Sequence, residues 1–215
     1  MKGRKVGVTG THYTIGGHVY ARVTDVIAST GRRYEVEQWK KRVGEERARS
    51  VMEEAGKWGT DVHALLAHDD LGNRRTVDRM TDEQEDLIIP LLTYREWKKE
   101  YIVRWIWVEQ LAFSDKLGVA GTVDRVGYFR GDKEAAICDI KTGAVHEAIG
   151  MQLAAYRLLY RASKTPQEPP VKRMVVISLP RNNPGSISVR EYTSKIKDGE
   201  RGFLAALKLY KAMNK

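Results

Sequence analysis

The stretch from Gly121 to Gly143 limits the folds open to this chain more than any other. Gly121-Thr122-Val123-Asp124 and Cys138-Asp139-Ile140-Lys141-Thr142-Gly143 read as parts of two β-strands, because alternating apolar residues flank a turn at Arg130-Gly131-Asp132-Lys133. A turn centred on Gly131 and Asp132 sets Asp124 directly opposite Asp139, with Lys141 on the same sheet face as Asp139. Like charges directly opposite one another destabilise a sheet. A divalent cation held by both carboxylates offsets that repulsion. It also leaves Lys141 beside the ion, able to stabilise developing negative charge. The plainer alternative is a solvent-facing hairpin edge on which Lys141 screens the two aspartates.

The strand expected before this hairpin, Tyr101 to Phe113, has a period of two. Tyr101, Val103, Trp105, Trp107, Glu109, Leu111 and Phe113 fall on one face. Glu109 is then the one charge on a strongly apolar face, where charges are rare unless paired or metal-bound. A bulge that turns Glu109 outward, or a basic partner, also accounts for it. Trp105 and Trp107 read as core rather than as platforms for bases.

Upstream, residues 5–22 read as a hairpin with its turn at Ile15-Gly16-Gly17-His18, and a helix is expected from Val23 to a break at Gly31-Arg32-Arg33. A second helix is expected from about Tyr34 to Ala55, with Thr60 or Asp61 capping a third. On that third helix Trp58, Val62, Leu65 and Leu66 form the apolar stripe. His63 lies at its edge, one turn from Gly59 and Ala67, whose small side chains leave room for a ligand or another element. A lone helical histidine is more often structural. Asp69-Asp70 and the acidic run at Asp82–Asp86 read as helix-end or surface carboxylates. Thr81 is expected to cap a helix reaching about Glu100, kinked or broken at Pro90.

After the hairpin, Val145 to about Ser163 reads as a helix on which Gln152 and Tyr156, four residues apart, share a face. Strands over 171–179 and 186–192 and an amphipathic helix from about Lys195 to Met213 follow. The expected fold class is α/β: a mixed sheet flanked by helices. At 215 residues the chain suits one domain. Its parts are a mainly helical 1–100, a β-meander and helix over 101–163, and C-terminal strands and helix over 164–215.

In order along the chain, His63, Glu109, Asp124, Asp139 with Lys141, and Gln152 with Tyr156 resemble the motif set of the PD-(D/E)xK nuclease superfamily. More closely they are similar to its RecB-like exonuclease branch, which includes the mitochondrial genome maintenance exonucleases and many phage nucleases. The resemblance spans about residues 20 to 165. It implies a restriction-endonuclease-like core and a Mg²⁺- or Mn²⁺-dependent deoxyribonuclease, exonuclease-like, acting on single- or double-stranded DNA with a free end. In that scheme His63, Asp124, Asp139 and the Ile140 carbonyl hold metal, and Glu109 ligates or polarises from the neighbouring strand. Lys141 orients the attacking water or neutralises the transition state. Gln152, Tyr156, Thr122 and Thr142 face the substrate, although a purely structural Gln152–Tyr156 pair is the rival reading. Imidazole among hard oxygen ligands tilts the preference toward Mn²⁺. The alternatives are a non-catalytic nucleic-acid-binding module of the same fold and a site- or structure-specific endonuclease.

Composition bears on partners. The net charge is +9, with basic ends around an acidic middle, as a metal site inside a polyanion-binding groove requires. The single cysteine, Cys138, excludes a disulfide framework and the four-cysteine iron–sulfur cluster that some relatives carry. No apolar run approaches the roughly 20 residues of a membrane span. The basic start, Met1-Lys2-Gly3-Arg4-Lys5, lacks the apolar core of a signal peptide. The expectation is a cytoplasmic, bacterial or phage-encoded protein working in replication, repair or recombination, with a protein partner from those processes.

Overall fold

A computed structural model describes residues 6–9, 12–30 and 33–214. The chain opens with three antiparallel strands, β1 (Val6–Thr9), β2 (His12–Ile15) and β3 (His18–Arg22). Gly16 and Gly17 both take positive φ between β2 and β3, as a tight two-residue hairpin turn requires. The expected hairpin is therefore present, with β1 added along its outer edge. Five helices follow: α1 (Val23–Ala28), α2 (Arg33–Val43), α3 (Glu45–Asp70), α4 (Arg74–Glu83) and α5 (Ile88–Tyr101). The meander comprises β4 (Ile102–Ser114), β5 (Val119–Phe129) and β6 (Ala135–Lys141). Then come α6 (Ile149–Ser163), β7 (Val171–Ser178), β8 (Ser188–Glu191) and α7 (Ile196–Met213).

All the strands among the described residues join one eight-stranded mixed sheet in the order β1-β2-β3-β5-β6-β7-β8, with β4 pairing β5. Helices cover both faces, as expected for an α/β chain. On one face Val26 of α1, Leu153 and Leu159 of α6 and Phe203 of α7 pack against Val123 and Val126 of β5. On the other, Val62 and Leu66 of α3 and Leu91 and Trp97 of α5 pack against Cys138 and Ile140 of β6. The central strands are thus apolar on both sides.

The site lies where β5 changes partners along one edge. Val119 and Ala120 pair in parallel with Ala21 and Arg22 of β3, whereas Arg125, Val126 and Gly127 pair antiparallel with Cys138, Ile137 and Ala136 of β6. Residues 121–124 pair with neither, so the sheet splits there. Along the other edge β4 pairs Val108 with Arg125 and Gln110 with Val123, and the intervening Glu109 and Asp124 drop out of the ladder. Glu109 takes φ 46°. It is the one non-glycine residue with positive φ among those described.

Several local expectations give way. The break between the second and third helices falls at Gly44 (φ 87°), and α3 runs unbroken through Gly56 and Gly59. Thr60 therefore does not cap a new helix; its hydroxyl donates to the Gly56 carbonyl one turn back. Thr81 sits in the last turn of α4 and donates to Val77 O, so it is no N-cap. Pro90 falls in the first turn of α5, where its missing N–H has no intrahelical role. The helix after the hairpin starts at Ile149 rather than Val145. The Gly31-Arg32 part of the expected break lies outside the described residues. The expected single face from Tyr101 to Phe113 is also broken. Register shifts between Ile102 and Arg104 and between Trp105 and Trp107 put Trp107 against α6 and Trp105 against the α3–α5 layer.

Candidate active site

Four elements bring the predicted residues together. α3 supplies His63, β4 Glu109, β5 Asp124 and β6 the run Asp139-Ile140-Lys141. Gly59, one turn before His63, explains how α3 approaches so closely: a Cβ there would stand 2.9 Å from Thr142 Oγ1. Gly121 does the same for α6, because a Cβ would meet Tyr156 Cε1 at 2.8 Å.

Ligand atoms of His63, Glu109 and Asp124 all lie within 4.8 Å of one another. His63 Nδ1 is 3.4 Å from Glu109 Oε1 and 3.7 Å from Asp124 Oδ2, and Nε2 is 3.1 Å from the Ile140 carbonyl. Both ring nitrogens thus face acceptors, which favours the imidazolium. Burial lowers the His63 pKa, but Asp124, Glu109 and Asp139 outweigh it and raise it to about 9. The Ile140 carbonyl, expected as a direct ligand, is engaged with His63.

Asp124 and Asp139 do not form the directly opposed pair expected of the hairpin. Its register is the one the turn implies, but the ladder stops one step short, at Arg125 and Cys138. Each aspartate takes its own partners. Asp124 Oδ2 accepts the Ile140 N–H at 2.7 Å. Asp139 Oδ1 accepts from Gln152 Nε2 at 2.8 Å, and its Oδ2 lies 2.7 Å from Lys141 Nζ. Burial, then the nearby Asp124, raises the Asp139 pKa against the pull of Lys141. Burial likewise raises that of Asp124, with His63 opposing.

An open cavity of about 1000 Å³ leads to these groups, lined by Arg22, His63, Glu109, Thr122, Lys141 and Thr142 among others. Thr122 Oγ1 is 3.4 Å from Tyr13 OH, so β2 reaches the cavity wall. Gln152 Nε2 is also 3.4 Å from Tyr156 OH, and Tyr156 is buried. Gln152 therefore links Asp139 and Tyr156, donating to Asp139 and lying against the Tyr156 hydroxyl.

Two residues that sequence reasoning passed over lie directly beneath the site. Arg125 is fully buried on β5, and Asp70, read as a helix-end carboxylate, is equally buried at the end of α3. The one outward sign of Arg125 is a second charge, next to Asp124, among the valines of β5.

A divalent cation fits this donor set: two carboxylates and one imidazole converge, and hard oxygens dominate, as Mg²⁺ or Mn²⁺ prefers. The profile of the PD-(D/E)XK nuclease superfamily matches residues 28–209. No curated protein matches the chain. Among solved structures, a “Putative exonuclease” from Eubacterium rectale is similar at 12% identity and a TM-score of 0.41, covering 71% of this chain and 68% of its own.

Proposed function

Since the chain belongs to the PD-(D/E)XK nuclease superfamily, and its general activity is therefore cleavage of nucleic-acid phosphodiester bonds, we propose that it is a Mg²⁺- or Mn²⁺-dependent deoxyribonuclease that degrades DNA from free ends. The observation that carries this reading is the convergence of His63, Glu109 and Asp124 beside the Lys141–Asp139 pair, with His63, Glu109 and Lys141 lining an open cavity.

His63, Glu109 and Asp124 hold the cation, and Asp139 completes the site from the adjacent strand. A bound cation supplies Lewis acidity to the phosphate and lowers the pKa of a nearby water. Lys141 is suited to orient the attacking water or to stabilise negative charge on the phosphoryl oxygens. Gln152 keeps Asp139 turned toward Lys141. The bond from Nε2 to the Ile140 carbonyl points His63 Nδ1 at the carboxylates, as outer-shell partners of histidine ligands commonly do. Thr122 and Thr142, in the cavity wall, contact the substrate backbone. The whole chain acts as one nuclease domain.

The test compares linear and covalently closed DNA, single- and double-stranded, with Mg²⁺ and Mn²⁺ in turn. Linear molecules should be degraded and closed ones spared. Cleavage of closed circles would replace the end-dependent reading with an endonuclease. DNA binding without cleavage under any metal would leave a binding module.

A further inference from the structure

We propose that Arg125 is a positioning residue for the metal site: from within the core it holds Glu109 turned toward His63 and ties the end of α3 to the strand carrying Asp124. The inference rests on the metal-site reading above.

Arg125 is 0% exposed, and such a charge survives burial only when paired and hydrogen-bonded. Its Nε donates to Asp70 Oδ2 at 2.7 Å, and its Nη1 donates to Glu109 Oε1 at 3.0 Å and to the Asp124 carbonyl at 2.7 Å. One guanidinium thus touches the side chain of one member of the cation-binding group and the backbone of another. Asp70 cannot swing away, because Tyr94 OH also donates to Oδ2 at 2.8 Å and Lys98 Nζ to Oδ1 at 2.7 Å. Anchored on that side, the planar fork has one direction left for Nη1.

The backbone of Glu109 is where this hold has its effect. A non-glycine residue stays in the left-handed region only when its surroundings over-determine it. Glu109 lies where β4 and β5 both drop a pair, so the ladder does not fix it. Its carboxylate is fixed instead by Arg125 from below and His63 from the side. Stability alone is a weak explanation for the cluster, since well-packed apolar residues often replace buried ion pairs without loss. His63 precedes Asp70 by two turns on α3, so the helix is pinned to the strands at both points.

The experiment measures Mn²⁺ affinity by calorimetry and the melt of the metal-free protein, for Arg125→Lys, Glu109→Gln and the double variant. Lysine keeps a cation near Asp70 but lacks the fork. Arg125→Lys should weaken Mn²⁺ binding about tenfold, the lower end for loss of an outer-shell partner. In the Glu109→Gln background the same substitution should weaken Mn²⁺ binding far less, because no carboxylate remains to be aimed and only the tie between α3 and β5 is lost. Equal weakening in both backgrounds, or none in either, overturns the proposal. The metal-free melts separate this outcome from failure of the metal reading. If Arg125 holds Glu109, the two substitutions are non-additive in Tm, and additive melts overturn the proposal whether or not Mn²⁺ binds. Non-additive melts in a protein that binds no Mn²⁺ would discard the metal reading and keep Arg125 as what positions Glu109. Should Arg125→Lys fail to fold, Asp70→Asn removes the guanidinium's anchor without changing its shape. It should weaken Mn²⁺ binding several-fold only when Glu109 is present, and unaltered binding would refute the positioning role.

Discussion

Lys141 ends β6 with its side chain 26% exposed and its ammonium against a carboxylate that is 1% exposed. It can therefore turn to a phosphate while Asp139 stays fixed by Gln152. Lys141→Ala should lower the cleavage rate by about a hundredfold or more, the scale seen when one donor to a developing oxyanion is lost. Its melting temperature should stay close to that of the parent. Single-turnover cleavage and a circular-dichroism melt decide it, and parental cleavage by this variant would remove Lys141 from the mechanism. His63 offers a test without substrate. Its pKa in the metal-free fold, about 9, exceeds the ordinary 6.5. A raised value contributes stability that is complete below the unfolded pKa and is lost as pH rises through the folded one. With chelator present, the Tm should therefore fall between about pH 6.5 and 9, and His63→Ala should flatten that decline. A parallel decline in both proteins would mean that His63 is not the titrating group.

At the scale of elements, close approaches decide the packing. α6 and α7 cross at Gly150 and Gly199, where a Cβ on Gly199 would stand 2.6 Å from the Gly150 carbonyl oxygen and 2.8 Å from Ala154 Cβ. Backbone cannot yield as a flexible side chain can, so Gly199→Ala should cost about 1–3 kcal/mol, the usual range for overpacking. For a chain of this length that is a fall of about 2–4 °C in Tm per kcal/mol. An unchanged melt would show that the helices separate freely. Such contacts mark the limit of what the sequence discloses. The hairpin register was legible because the link between β5 and β6 is short and Gly131 within it takes positive φ. The face assignments of β4 were not. β4 pairs with β5 alone, yet it carries apolar residues on both faces, so a residue inserted at a bulge leaves the hydrophobic pattern intact while moving every later side chain across the sheet. The helix boundary misled for a related reason. Gly56 and Gly59 resemble breakers, but Gly59 is small so that Thr142 can approach, and Gly44 carries the break. His63, Asp139 and Lys141 were readable from motif order. The pairing of Asp70 with Arg125 was not, because it joins residues 55 apart and neither one signals its partner.

For the molecule as a whole, charge and cation set the measurable behaviour. The net charge of +9 should make DNA binding fall steeply with salt. On duplex the expected slope of log K against log salt is about −0.9 per phosphate neutralised. Binding that ignores salt would leave the basic ends without a role. A cation that binds only the folded chain stabilises it by RT ln(1 + [L]/Kd), about 2.7 kcal/mol at a hundredfold excess. Mg²⁺ or Mn²⁺ should therefore raise the Tm by roughly 5–10 °C at the size-dependent sensitivity given above, and Asp124→Asn should shrink that rise. Identical rises in the two proteins would mean that the ion binds elsewhere. The split in β5 adds a consequence in time. Parallel pairing of Ala21 with Val119 and the contact of His63 with Ile140, 77 residues apart, both require long loops to close, and such closures come late in folding. Helices form from neighbours and need not wait. In a refolding experiment, far-UV ellipticity should thus recover before quenching of tryptophan fluorescence by Mn²⁺. The ion would then act as a clock, registering only chains whose distant strands have already met.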